Sequence, residues 1–174
     1  MHVLIVGPPG SGKSTLIRQV LKKLNRPIFG FETKKETSLE DKDLGCPVYI
    51  YEAGKPHIRT CENLLGYANT RHASSLMETF DRYAPKLLEP IPQNSIIEMD
   101  EIGIMEAKSQ PFCEAILHCL DGDIPVIAAV KNKEHPFLNS VRSHPNACCF
   151  FITAENRDFL TDEIITCLKK PPLR

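Results

Sequence analysis

The chain of 174 residues is long enough for one domain with a sizeable buried core. Apolar residues make up 42% of it and charged residues 25%, a balance that excludes a disordered or fibrous chain. The formal net charge of −1 provides no strong field for a polyanion or an anionic membrane surface, so a nucleic-acid partner is not expected.

The first residues and the cysteines bear on the cell compartment. Residues 1–6 are apolar but meet a glycine at position 7, too early for a secretory signal, and the apolar run at 124–130 is far shorter than the roughly 18 residues of a membrane helix. The seven cysteines are odd in number and form no C-x-x-C pair, which favours reduced thiols over a disulfide framework or a zinc site. We therefore predict a cytoplasmic protein without a membrane segment.

Short apolar segments alternate with amphipathic ones, which is the pattern of an α/β fold with a mostly parallel sheet. The predicted strands are 3–6, 28–31, 96–99, 124–130 and 147–152. Among the predicted helices, one stops before Asn25, one opens with a capping box at 75–78, one ends at Asp121-Gly122, and two cover 136–142 and 158–168. Residues 46–60 have the pattern of an inserted hairpin that turns at 53–55. The whole of 1–174, including this insertion, is predicted to be a single domain.

Residues 7–14, Gly-Pro-Pro-Gly-Ser-Gly-Lys-Ser, match the phosphate-loop pattern G-x-x-x-x-G-K-[ST] between an apolar strand and an amphipathic helix. The backbone N–H groups from Gly10 to Ser14 are expected to point at phosphate oxygens, since the two prolines have none to donate. Lys13 is expected to reach the β- and γ-phosphates, and the Ser14 hydroxyl to bind Mg²⁺. The predicted nucleotide-binding residues of this loop are Gly7, Pro8, Pro9, Gly10, Ser11, Gly12, Lys13, Ser14 and Thr15.

Two carboxylates, Asp100 and Glu101, follow the strand predicted at 96–99. The carboxyl ends of parallel strands form the ligand-binding edge of an α/β sheet. An Asp at this position holds Mg²⁺, and a Glu directly after it can orient the water that attacks the γ-phosphate. We therefore assign Asp100 to the metal and Glu101 to catalysis, and expect the strand at 124–130 to lie between the phosphate-loop strand and the acidic strand. Glu98, inside the strand, is expected to be structural or to have a partner.

Four segments together resemble the small P-loop nucleoside-triphosphatases known as the cancer-related or thermostable NTPase family. They run in the family's order over nearly the whole chain: residues 7–15, Gly30-Phe31-Glu32-Thr33, Asp100-Glu101-Ile102-Gly103-Ile104-Met105-Glu106 and Thr153-Ala154-Glu155-Asn156-Arg157-Asp158. The resemblance implies a three-layer P-loop fold with a RecA-like sheet. It also implies Mg²⁺-dependent hydrolysis of ATP, GTP and other nucleoside triphosphates with low base selectivity.

The resemblance further suggests that Asn156 and Arg157 lie near the base or ribose, whereas residue type alone makes Asn156 a helix N-cap and Arg157 a surface cation. Two segments depart from the family's pattern: 34–36, which leads into an acidic stretch, and 131–136. A lysine of the second segment, at position 131 or 133, can reach the γ-phosphate. Further candidates for neutralising charge in the transition state are Arg59, Arg71 and Arg157.

Two other functions are compatible with the phosphate loop. A P-loop nucleotide or small-molecule kinase would use a lid with several arginines, whereas residues 33–72 contain two, Arg59 and Arg71. A nucleotide-dependent switch would hydrolyse slowly and respond to a protein partner, which the sequence does not identify. The preferred base, the pathway and the oligomeric state are also not determined by the sequence.

Overall fold

The computed structural model describes residues 1–68, 73–153 and 155–171. Its strands, in chain order, are β1 His2–Gly7, β2 Ile28–Lys35, β3 Cys46–Glu52, β4 Leu64–Ala68, β5 Ala73–Ser75, β6 Ile96–Ile102, β7 Val126–Lys131 and β8 Ala147–Phe151. Its α-helices are α1 Lys13–Leu24, α2 Met77–Leu87, α3 Gln110–Asp121, α4 Pro136–Arg142 and α5 Leu160–Leu168. No helix in the described part of the chain combines the length and apolar character needed to cross a bilayer.

The strands form one sheet in the order β5-β4-β3-β2-β6-β7-β1-β8. The five strands from β2 to β8 in this order run parallel, and β3, β4 and β5 extend the sheet in antiparallel fashion. The predicted mostly parallel sheet is confirmed. So is the place of β7, which lies between the phosphate-loop strand β1 and the acidic strand β6.

Helices cover both faces of the sheet because successive side chains of a strand point to opposite faces. Leu4 and Val6 of β1 pack in a cluster with buried residues of α2, α3 and α4. Val3 and Ile5 pack in a second cluster with buried residues of α1 and α5. The molecule therefore has the three predicted layers, and both clusters meet the strands whose carboxyl ends carry the site.

The predicted hairpin at 46–60 is wrong in its second arm. The chain turns after β3 as expected, but the segment from Pro56 to Thr60 forms no strand, and Ile58 is 70% exposed. Pro56 has no N–H for a ladder, so pairing resumes only at β4, which lies beside β3 in antiparallel fashion. The other neighbour of β3 is β2, and this pairing extends β2 to Lys35 instead of the predicted position 31.

The residue predicted to cap α2, Ser75 of the box at 75–78, is not its N-cap. Ser75 ends β5, and α2 begins after Leu76, which makes no side-chain cap hydrogen bond. Pairing of β5 with β4 occupies the backbone that the capping box would have used, so the strand overrides the local helix signal. The helix itself lies where the apolar spacing predicts it.

Candidate active site

The loop from Gly7 to Lys13 connects β1 to α1 at the carboxyl edge of the sheet. Gly12 has φ +96°, in the left-handed region that residues with a Cβ rarely adopt. It caps α1 without a side-chain hydrogen bond, so the N–H groups of the first helical turn point out of the helix end. This is the geometry in which a helix N-terminus binds an anion such as phosphate.

The Lys13 side chain bends back over this loop and is buried. Its Nζ donates hydrogen bonds to the carbonyl oxygens of Gly7 and Pro8, both at 3.0 Å. The same ammonium lies 3.4 Å from Oε2 of Glu101. Lys13 thus joins the phosphate loop to the acidic strand across the intervening strand β7.

Asp100 lies on β6, with β7 between it and the loop strand, and faces Ser14. Its carboxylate is buried, and burial raises its pKa, while a hydrogen bond with the Ser14 side chain and the charge of Lys13 oppose that rise. The Asp100–Glu101 peptide bond is cis. A hydroxyl and a carboxylate side by side are hard oxygen donors, which suit Mg²⁺ better than softer metals.

Glu101 lies between two ammonium groups. Its Oε2 is paired with Lys13, and its Oε1 lies 3.3 Å from Nζ of Lys131, the last residue of β7. Of the two lysines that the sequence left open, Lys131 is therefore the one beside the catalytic candidate. Lys133 is exposed, and its carbonyl oxygen accepts a hydrogen bond from Arg142.

Two residues that support the acidic turn were not identified from the sequence. Thr33 of β2 donates its hydroxyl to the carbonyl oxygen of Asp100 at 3.3 Å and accepts from the N–H of Glu101 at 3.2 Å. Glu106 accepts a hydrogen bond from the N–H of Gly103 at 2.8 Å, and its burial raises the pKa of the carboxyl to about 7. Thr33 and Glu106 each belong to one of the four segments that resemble the family, and this membership is the signal by which the sequence could have identified them.

Glu98 lies behind the site, inside β6. Burial, and then the charges of Glu32 and Asp100, raise its pKa to about 8. Glu32 belongs to β2, where it is the register partner of Asp100. The carboxylates therefore accumulate at one point of the sheet edge, which raises the cost of ionising Glu98 there.

The two predicted base-side residues have different surroundings. The Asn156 side chain accepts from the N–H of Thr153 at 2.8 Å and donates to the carbonyl oxygen of Phe151 at 2.9 Å, so its amide closes the turn after β8. The Arg157 side chain lies against the phosphate loop: a Cβ built on Gly12 would be 3.2 Å from its Cδ and Nη1. The structure therefore places Arg157, rather than the Asn156 amide, beside the loop.

The two remaining arginine candidates differ. Arg59 forms an ion pair with Glu36 at 3.7 Å, next to the antiparallel part of the sheet. Arg71 lies outside the described residues.

A glycine-rich loop with a buried lysine, separated by one intervening strand from an Asp-Glu pair, defines the chain as a P-loop protein. The chain belongs to the NTPase family, whose model matches residues 2–165. It is 32% identical over 184 residues to the cancer-related nucleoside-triphosphatase homolog of Bos taurus, covering 95% of each chain. It is 26% identical over 178 residues to nucleoside-triphosphatase THEP1 of Aquifex aeolicus (strain VF5), covering 98% of this chain and all of that one.

A solved structure supports the same fold. The crystal structure of THEP1 from Aquifex aeolicus matches with a TM-score of 0.71 at 23% sequence identity, over 98% of this chain and 100% of that chain. The family resemblance and the P-loop fold predicted from the sequence are thus confirmed.

Proposed function

We propose that this protein hydrolyses nucleoside triphosphates to the diphosphate and inorganic phosphate with the help of Mg²⁺. One observation carries the proposal: Glu101, which follows the buried Asp100, forms an ion pair with Lys13 of the phosphate loop. That is where a carboxylate can act on a water at the γ-phosphate. The names of the relatives, which are nucleoside-triphosphatases, support the same reaction.

In this proposal the loop N–H groups bind the triphosphate and Lys13 exchanges Glu101 for the β- and γ-phosphates. Ser14 and Asp100 fit Mg²⁺, since they present a hydroxyl and a carboxylate to the same space and leave coordination positions for water and phosphate oxygens. The ion would neutralise charge on the phosphate oxygens as the reaction proceeds.

Glu101 would orient the attacking water and accept its proton. The water oxygen forms the new bond to the γ-phosphorus while the bond from that phosphorus to the bridging oxygen breaks, and the diphosphate leaves with those electrons. β7 lies between the strand of Glu101 and the loop strand, and in this proposal the attacking water would lie between the carboxylate and the γ-phosphate once Lys13 has moved to the phosphates.

We propose low selectivity for the base, with ATP, GTP and other nucleoside triphosphates as substrates. The groups described here, namely the backbone N–H groups, Lys13 and the Ser14–Asp100 pair, contact features that all triphosphates share. A cytoplasmic location remains a prediction.

The competing function is phosphoryl transfer by a kinase. The test is phosphate release from ATP, GTP, CTP and UTP with Mg²⁺, measured with and without added nucleosides and nucleoside monophosphates. Hydrolysis predicts phosphate release at the same rate in both conditions, whereas transfer to an acceptor would overturn the proposal.

The same assay tests the phosphate loop. Lys13→Ala should abolish nucleotide binding and turnover almost completely, because the N–H groups alone cannot replace its charge at the phosphates. Lys22→Ala, at an exposed position on the same helix, is the matched control and should leave both unchanged. Wild-type hydrolysis by the Lys13 variant would contradict the assignment of the loop.

A further inference from the structure

Lys131 contacts the candidate catalytic carboxylate from a strand that carries none of the sequence motifs. It is the last residue of β7, and its Nζ lies 3.3 Å from Oε1 of Glu101, while Lys13 lies 3.4 Å from Oε2. Each oxygen of one carboxylate therefore has its own ammonium group. Neither the phosphate-loop motif nor the acidic pair requires the second one.

The two lysines differ in what holds them. Lys13 belongs to the loop that receives the phosphates, and its other partners are two carbonyl oxygens of that loop. The stem of Lys131 crosses Gly103 so closely that a Cβ on this glycine would lie 2.8 Å from its Cδ. Gly103 is itself fixed, because its N–H donates to the buried carboxylate of Glu106 at 2.8 Å. The stem of Lys131 thus lies over a fixed glycine with its ammonium beside Glu101, although 37% of the side chain is exposed.

We infer that Lys131 is a positioning residue that holds Glu101 in place when Lys13 has moved to the triphosphate. This inference rests on the proposed hydrolytic function. A glutamate side chain without partners samples several rotamers, and ordering it costs conformational entropy. With Lys131 on Oε1, the other oxygen stays directed toward the loop, where the attacking water is needed. Lys131 acts through Glu101 and contacts no reacting atom.

The first measurement compares Lys131→Met with Lys133→Met. Methionine keeps an unbranched stem over Gly103 and removes the ammonium, and position 133 is an exposed lysine two residues away. Lys131→Met should lower kcat about tenfold and leave the Kd for Mg·ATP within about twofold, and Lys131→Arg should restore most of the rate. Lys133→Met should match the wild type. Equal rates for the two methionine variants would overturn the inference.

The second measurement combines Lys131→Met with Glu101→Gln in a double-mutant cycle of single-turnover rates. If Lys131 acts through Glu101, adding Lys131→Met to Glu101→Gln should change the rate by less than about twofold. Rate losses that multiply, or a loss of affinity for ATP but not for ADP, would show that Lys131 acts on the phosphates and would overturn the inference. Failure of the proposed function is visible separately, as a wild-type rate in Glu101→Gln alone.

Discussion

Glutamine at position 101 keeps the size of the side chain and removes its charge, and the structure predicts opposite effects on binding and on turnover. A pair of unit charges 3.4 Å apart, as for Glu101 and Lys13, is worth about 5 kcal/mol at an effective dielectric constant of ~20 and about 1 kcal/mol in water. Glu101 is 24% exposed, so the net attraction lies toward the lower value.

Removing this attraction releases Lys13 for the phosphates. If about 1–2 kcal/mol of it becomes available, the Kd for Mg·ATP should fall roughly 5- to 30-fold. Turnover should fall on the order of 100-fold, or about 3 kcal/mol of transition-state stabilisation, since the amide does not accept the proton of the water. One substitution should therefore give tighter binding and slower chemistry.

The assay is single-turnover phosphate release together with equilibrium nucleotide binding in the same buffer. Glu134→Gln is the control, because that carboxylate is 90% exposed and should affect neither quantity. Wild-type turnover with intact binding would refute Glu101 as the residue that activates water. Weaker binding would refute the competition between Glu101 and the phosphates for Lys13.

Three other predictions concern the metal, the turn after β6 and the last loop. Asp100→Asn should weaken Mg²⁺-dependent nucleotide binding as well as turnover, and excess EDTA should stop the wild type; an unchanged Mg²⁺ titration would contradict this role. Glu106 ionises near 4.5 when unfolded and at about 7 when folded, so the free energy of unfolding should decline as the pH rises from 4.5 to 7. Denaturation of Glu106→Gln, which keeps an acceptor for Gly103, should show a smaller decline than the wild type, with the contribution of Glu98 remaining, and parallel pH profiles would exclude the effect. Arg157→Ala should raise the Kd about equally for ATP and GTP with little change in kcat, and a change confined to one nucleotide would show base recognition instead.

The elements next to the motifs were predictable because local sequence determines them. The apolar run before Gly7 and the stripe on the following helix define β1 and α1, and Pro136 marks the start of α4 where the sequence predicts it. The arrangement of β3 and β4 was not predictable in the same way. Their paired residues are 13 or more positions apart, and the alternation of polar and apolar residues does not identify which strand pairs with which.

The candidate site divides along the same line. The loop follows β1, and Asp100 and Glu101 lie near the carboxyl end of β6, so their place at the same sheet edge follows from topology rules. Lys131 and Lys133 are two positions apart, so the strand period of two places both on the same face and the sequence does not distinguish them. The structure does, because β7 ends at Lys131. Thr33 reaches Asp100 from another strand, a contact that depends on the register between β2 and β6.

The position of β1 in the sheet has a consequence for folding. Its neighbours are β7 and β8, which begin at Val126 and Ala147, so β1 is synthesised long before either of its partners. All six of its residues are buried in the folded molecule. Until β7 is complete at Lys131, this apolar segment has neither ladder partner, and we expect the emerging chain to expose an aggregation-prone strand throughout that interval.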